Sequence, residues 1–266
     1  MRSVKFLAVV GAVFLVTLLL GVMPGLCAIN CADFPGMLSD PGLTAPLSAE
    51  VKPGAAGAPE YCEVRGTLAP EIKFVVKLPT GWNGSFYMVG GGGFNGSINN
   101  GAMIPALARG YATAGTDSGH DGQKEKLATF AYNPPDNSNP NALQKKLDFA
   151  YRSYYDTAVL ARKIIKAYYG SDIRYSYWVG CSEGGREALL MAQRFPELFD
   201  GIVVGAPILS LTKAHMWSIW NPRSAGGGGL DSGQPASFPG RRDLQKMRRP
   251  RWSRGWADRR PPHLHL

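Results

Sequence analysis

Gly180-Cys181-Ser182-Glu183-Gly184 sets a serine between two glycines in G-x-S-x-G spacing. A serine hydroxyl is a weak nucleophile until a base takes its proton. This spacing suits a tight strand-to-helix turn that holds the hydroxyl exposed above a sheet and at a helix N-terminus. The strand-like run "RYSYWVG" (174–180) enters the pentapeptide and the helix-forming "EGGREALLMAQRF" leaves it. Glycines at 180 and 184 let strand and helix approach without a Cβ clash. The backbone N–H after the serine, that of Glu183, then points at a developing oxyanion. A second donor for that anion comes in such sites from a Gly-rich loop after an earlier strand, and "GGGGF" (90–94) stands in that place. The competing reading is a packing motif with an incidental serine.

A serine of this kind needs a histidine base and a carboxylate, in the order Ser, Asp or Glu, His, each on a loop after a further strand. The histidines beyond Ser182 are His215, His263 and His265. His215 follows the strand-like "GIVVGAP" (201–207) too closely to be the base, and no strand precedes His263 or His265 to position them. Asp231, Asp243 and Asp258 lack a scaffold in the same way. A catalytic group must be held to within about 0.5 Å, which an unstructured arm cannot do. His120, in "TDSGH", reads as a loop-fixing residue. The expectation is that the partners of Ser182 are not in this chain.

The elements that would position Ser182 follow from pattern. "IKFVVKLP" (72–79) and "SFYMVG" (85–90) read as strands, and Asn83-Gly84 between them signals a hairpin. "IPALARG" (104–110) reads as a short helix closed by Gly110, and "YATAGTDSGH" (111–120) as a strand running into a polar loop that continues through "NPPDNSNPN". From Lys145 to Tyr169 apolar residues recur at helical spacing until Gly170. "LSLTKAHMWSIW" (209–220) still fits a helix. Strands alternating with helices predict an α/β fold with a mainly parallel sheet covered on both faces.

Composition sets the context. The 266 residues are 45% hydrophobic and 11% aromatic, enough for a real core. Arg2 and Lys5, the apolar run "FLAVVGAVFLVTLLLGVM" and the small residues near Ala28 read as a secretory signal over residues 1–28, with a membrane anchor as the alternative. An exported chain, secreted or periplasmic, is open to disulfides. With Cys27 lost alongside the signal, Cys31 and Cys62 form the natural pair, and Cys181 is the orphan. The net charge is +9, but residues 241–266 hold eight arginines and one lysine against two aspartates, a net +7. The other 240 residues carry only +2. Basicity is a property of the tail, so the body gives no reason to expect nucleic acid as a partner, nor a membrane once the signal is cleaved. Residues 29–220 form the expected domain. Residues 221–266, "NPRSAGGGGLDSGQPASFPG" and the Arg/Pro/Trp-rich stretch after it, read as linker and basic disordered tail.

"YCEVRGTLAPEIKFVVKLPTGWNGSFYMVGGGGFNGS", "ALARGYATAGTDSGH", "DFAYRSYYDTAVLARKIIKAYYG" and "YWVGCSEGGREALLMAQRFPELFDGIVVGAPI" resemble, in order, the tannase/feruloyl esterase family of secreted serine esterases. The resemblance spans roughly Cys31 to Trp220. It implies an α/β-hydrolase fold with Ser182 as nucleophile and the N–H groups of Glu183 and Gly92 as oxyanion hole. It also implies a Cys31–Cys62 disulfide, and it matches Cys181 to a family cysteine that pairs with one just before the catalytic histidine. The implied substrates are small esters of hydroxybenzoic, hydroxycinnamic or terephthalic acids. The family continues into a lid domain, often with a calcium site, and then into the strands that carry Asp and Cys-His. None of this is visible here. The chain therefore reads as the N-terminal part of an α/β-hydrolase sheet with lid and last strands missing, out of frame from about Asn221, with no cofactor of its own and little activity. The alternatives are a non-catalytic secreted binding remnant, or a minimal hydrolase that uses a tail histidine.

Overall fold

Valine, isoleucine and aromatic residues dominate "IKFVVKLP" and "YSYWVGC", and β-branched and aromatic side chains fit a pleated surface buried on both sides. A computed structural model of the chain describes residues 29–224, with side chains described through Asn221. The leader expected over 1–28, the tail from 225 onward, and with it Asp231, Asp243, Asp258, His263 and His265, lie outside the described residues. The chain divides into two units after Leu209.

The first unit carries one seven-stranded sheet in the order β1-β2-β3-β5-β4-β6-β7. Its strands are β1 (Ser48–Lys52), β2 (Tyr61–Leu68), β3 (Ile72–Pro79), β4 (Ser85–Val89), β5 (Ala112–Thr116), β6 (Tyr175–Cys181) and β7 (Gly201–Gly205). The pairs β1–β2, β2–β3 and β3–β5 are antiparallel. The pairs β5–β4, β4–β6 and β6–β7 are parallel. The expected mainly parallel sheet is thus corrected to a mixed one, because β1 and β2, for which the pattern gave no element, add an antiparallel wing. β2 escapes a period-two reading because Glu63 is buried among its apolar residues.

The expected β3–β4 hairpin is also corrected. The crossover from β4 to its parallel neighbour β5 sets β5 between them. Asn83-Gly84 instead makes a turn tied to the end of that crossover. Asn83 N–H donates to Gly110 O at 2.8 Å, its Nδ2 to Arg109 O at 2.9 Å, and its Oδ1 accepts Ser85 N–H at 2.9 Å.

Helix α1 (Asn100–Leu107) starts four residues earlier than its pattern suggested, capped by Asn99, whose side chain accepts Ala102 N–H. Helices α2 (Ala142–Leu147) and α3 (Ser153–Tyr169) flank a π-helical turn at Asp148–Arg152. Gly170, in the left-handed region at φ 65°, ends α3 by donating to Lys166 O, which is the stop its position foretold. Helix α4 (Glu183–Arg194) follows β6 directly. The main core lies between the sheet and α3 and α4, with Trp178, Tyr154, Phe86, Met88, Ile164 and Ile165 fully or almost fully buried. A smaller cluster of Val75, Val89 and Met103 lies under α1. The second unit contributes α5 (Leu211–Ser224), on which Met216, Trp217 and Trp220 are exposed.

Candidate active site

Because β4, β5 and β6 are parallel, the loops that leave their C-terminal ends gather at one edge of the sheet, where α/β folds place ligands. Those loops are the glycine run from Gly90, the segment from Asp117, and Ser182 itself. Ser182 has φ 61° and ψ −116°. A side-chain-bearing residue is uncommon there, and such strain collects at functional sites. Ser182 is exposed, and its hydroxyl does not cap α4 although it occupies the N-cap. Its backbone is fixed instead: Ser182 N–H donates to Gly205 O at 3.0 Å, and its carbonyl accepts Gly185 N–H and Arg186 N–H, both at 3.1 Å.

The turn closes only around glycine. A Cβ on Gly180 would lie 2.0 Å from Gly184 O, and one on Gly185 would lie 2.3 Å from Gly205 O. Glu183 follows as the first residue of α4 and Gly92 lies in the loop after β4. Two contacts bring that loop to the elbow: Gly90 N–H donates to Val179 O at 3.0 Å, and Gly184 N–H donates to Gly91 O at 3.1 Å. Among the described residues, no acceptor is bonded to the N–H of Gly92 or of Glu183. Cys31 and Cys62 form a disulfide, and Cys181 is an exposed free cysteine at the end of β6.

Behind the elbow lies a buried polar network that the motif does not announce. Glu187, fully buried on α4, accepts Gly91 N–H on Oε2 at 3.0 Å and Asn95 Nδ2–H on Oε1 at 2.7 Å. Asn95 Nδ2 also donates to Ser118 Oγ and to Tyr154 Oη. Burial pushes the Glu187 carboxyl up, opposed by the donors from Asn95 and Gly91. Burial also keeps Tyr154 neutral, its pKa raised well above the ordinary tyrosine value. A legible signal did exist. Gly184, Glu187, Ala188 and Met191 make one i, i+3, i+4, i+7 stripe, and a glutamate in such a stripe must find donors.

Arg186 braces the same helix start. It pairs with Glu183 Oε1 at 2.6 Å and donates to the carbonyls of Phe149 (2.9 Å) and Ala150 (3.1 Å), both in the π-helical turn. Burial still pushes the Glu183 carboxyl up to about 7 against the pull of Arg186. Asp117, after β5, accepts Gly119 N–H at 2.9 Å and Lys73 N–H at 3.0 Å, and burial raises it to about 7.

Two histidines, His120 and His215, lie among the described residues. His120 is buried and stacked on Phe130 with ring centroids 4.0 Å apart, and burial lowers its pKa. His215 lies on α5 with Nδ1 2.6 Å from Leu211 O. Among the described residues no three His, Cys, Asp or Glu side chains come together to hold a metal. No described helix is long and apolar enough to cross a membrane.

A mixed sheet with helices on both faces and a strained, exposed serine at the strand-to-helix turn is the arrangement of an α/β-hydrolase fold. Residues 56–238 match the family model "Tannase and feruloyl esterase", and the chain belongs to that family. It is 39% identical over 195 residues to a mono(2-hydroxyethyl) terephthalate hydrolase of Piscinibacter sakaiensis, covering 64% of this chain and 30% of that protein. It is 35% identical over 162 residues to a probable feruloyl esterase B-1 of Neosartorya fischeri, covering 59% and 29%. Among solved structures, an esterase from Aspergillus oryzae superposes with TM-score 0.61 at 26% identity, over 71% of this chain and 39% of that one. Feruloyl esterase B from the same organism gives TM-score 0.56 at 27% identity, over 66% and 37%. The chain thus spans less than a third of the length of these two sequence relatives.

Proposed function

We propose that this chain carries the nucleophile half of a serine carboxylic ester hydrolase for small aromatic acid esters of the feruloyl, galloyl or terephthalate kind. Ser182 Oγ attacks the ester carbonyl as its proton passes to a histidine base, which later hands it to the leaving alcohol oxygen and which the fusion partner below supplies, and the oxyanion that forms is met by the N–H groups of Glu183 and Gly92. The intermediate collapses by expelling the alcohol, leaving an acyl group on Ser182 that water then removes. The observation that carries this reading is Ser182 itself, exposed at φ 61° with its hydroxyl unused as a helix cap. The substrate class rests on the relatives, two of which are named for terephthalate and feruloyl esters. The Cys31–Cys62 disulfide supports an oxidising location, secreted or periplasmic.

The reading includes low activity of the chain alone, since His120 is buried and stacked on Phe130. Loss of triad members leaves roughly 10³ to 10⁴ over water even in an intact fold. The test compares methyl ferulate hydrolysis by the purified chain with that by a fusion of residues 29–220 to the C-terminal remainder of a full-length family relative. The fusion is expected to turn over, and Ser182→Ala to abolish that turnover. Turnover by the fusion that survives Ser182→Ala removes Ser182 as nucleophile. Turnover by the 266-residue chain at the fusion's rate overturns the low-activity reading.

A further inference from the structure

The loop after β4 is pinned at two points and bare between them. At the first point Gly91 is held through both backbone groups: its N–H donates to Glu187 Oε2 at 3.0 Å, and its carbonyl accepts Gly184 N–H at 3.1 Å. At the second, Asn95 Nδ2 donates to Glu187 Oε1 at 2.7 Å, and Asn95 N–H donates to Gly92 O at 2.8 Å. The Glu187 carboxylate thus bridges Gly91 and Asn95, one oxygen to each. Packing is close at these pins. A Cβ on Gly91 would lie 2.1 Å from Asn95 Oδ1, and one on Gly90 would lie 2.9 Å from Glu187 Oε2. A Cβ on Gly92 or Gly93 would meet nothing within 4 Å.

These bonds set the direction of one N–H. The carbonyl of Gly91 and the N–H of Gly92 belong to a single planar peptide unit, so the bond that orients the first orients the second. Glu187 stands one turn after Glu183 on α4, and the helix that begins with the Glu183 N–H is therefore the support of the loop as well.

We propose that Glu187 is a positioning residue for ester hydrolysis: its carboxylate holds the loop against α4, so that the Gly92 N–H keeps a fixed direction relative to the Glu183 N–H. This rests on the reading of Ser182 as nucleophile with those two N–H groups as its oxyanion hole. Oxyanion donors act by being in place before the charge forms, and a loop free to turn would give much of that stabilisation away. Glu187 is 0% exposed, and a carboxylate buried so deeply costs stability. Asn95 (φ 54°) and Ser118 (φ 71°), whose hydroxyl accepts from Asn95 Nδ2, both hold left-handed backbone. Strained backbone of this kind clusters at active sites.

Phosphonylation of Ser182 in the 266-residue chain tests this. A p-nitrophenyl phosphonate is supplied with imidazole as external base. The Ser182 Oγ–P bond forms, p-nitrophenolate leaves, imidazole takes the serine proton, and the phosphoryl oxygen stands where the oxyanion would. Mass spectrometry of the labelled peptide gives the limiting rate and the half-saturating concentration. Glu187→Ala should lower the limiting rate about 10- to 100-fold, a part of the roughly 10² to 10³ that loss of a whole donor costs, with half-saturation changed less than about twofold. Glu187→Gln keeps an acceptor oxygen for Gly91 and should recover most of the rate. Ile164→Ala, a core substitution on α3 that also weakens the fold, should label at the parent's rate. If Glu187→Ala does not fold, Asn95→Ala carries the same comparison, with a smaller loss because the bond to Gly91 remains. A parent-like limiting rate in Glu187→Ala, an equal loss in Ile164→Ala, a loss confined to half-saturation, or Glu187→Gln as slow as Glu187→Ala would each overturn the proposal. Labelling that persists in Ser182→Ala, or that fails in the parent, removes instead the nucleophile reading on which the proposal rests.

Discussion

Asp117→Asn should stabilise this protein, and by an amount that grows with pH. Asp117 is 3% exposed and its Oδ1 already accepts two backbone N–H groups, from Gly119 and Lys73. An asparagine oxygen can keep both. Burial is the largest influence on the carboxyl and moves it from 3.8 to about 7. Below about pH 4 the carboxyl is protonated in both folded and unfolded chains. As pH rises toward 7 the unfolded chain releases its proton while the folded one holds it, so stability falls across that window. The span is roughly three decades of proton activity at about 1.4 kcal/mol each, a ceiling near 4 kcal/mol. Relaxation around the carboxylate lowers this, and we expect the variant to gain about 1 to 4 kcal/mol above pH 7 and almost nothing near pH 4. Urea denaturation of both proteins at closely spaced pH values measures the difference directly, because Glu183 and His120 titrate in both and cancel. A variant with the parent's pH slope, or one less stable at pH 8 than the parent, would refute the reasoning.

Three further outcomes are open to direct measurement. Gly180→Ala places a Cβ 2.0 Å from Gly184 O, backbone that cannot swing aside, and should cost about 3 kcal/mol or more in chemical denaturation. Glu187→Leu strands the buried donors of Gly91 and Asn95. It should cost about 1 to 3 kcal/mol per donor and speed amide exchange at Gly91, with Glu187→Gln milder. Alkylation of the unreduced protein followed by mass spectrometry should label Cys181 and leave Cys31 and Cys62 to react only after reduction. Cys62→Ser should cost about 2 to 5 kcal/mol.

Much of the site's immediate frame was legible in the chain. A buried strand running into Gly-Cys-Ser-Glu-Gly and then a helix determined the turn at Ser182, because each step is a local pattern of a few residues. Gly170 as the stop of α3 was legible for the same reason, whereas the pairing of Cys31 with Cys62 was expected from the Gly/Pro-rich loop it closes and from the family resemblance. What the tertiary structure decided are relations between distant residues. The insertion of β5 between β3 and β4 depends on a crossover that no hairpin signal at Asn83-Gly84 encodes. Glu187 meets Gly91 across 96 positions and Asn95 across 92, so its pattern could say only that it needs donors. The π-helical turn that offers the carbonyls of Phe149 and Ala150 to Arg186 lies inside a stretch whose apolar spacing reads as ordinary helix. Asp117 looks like any loop aspartate until packing removes water from it, and desolvation is a property of the surroundings rather than of the residue.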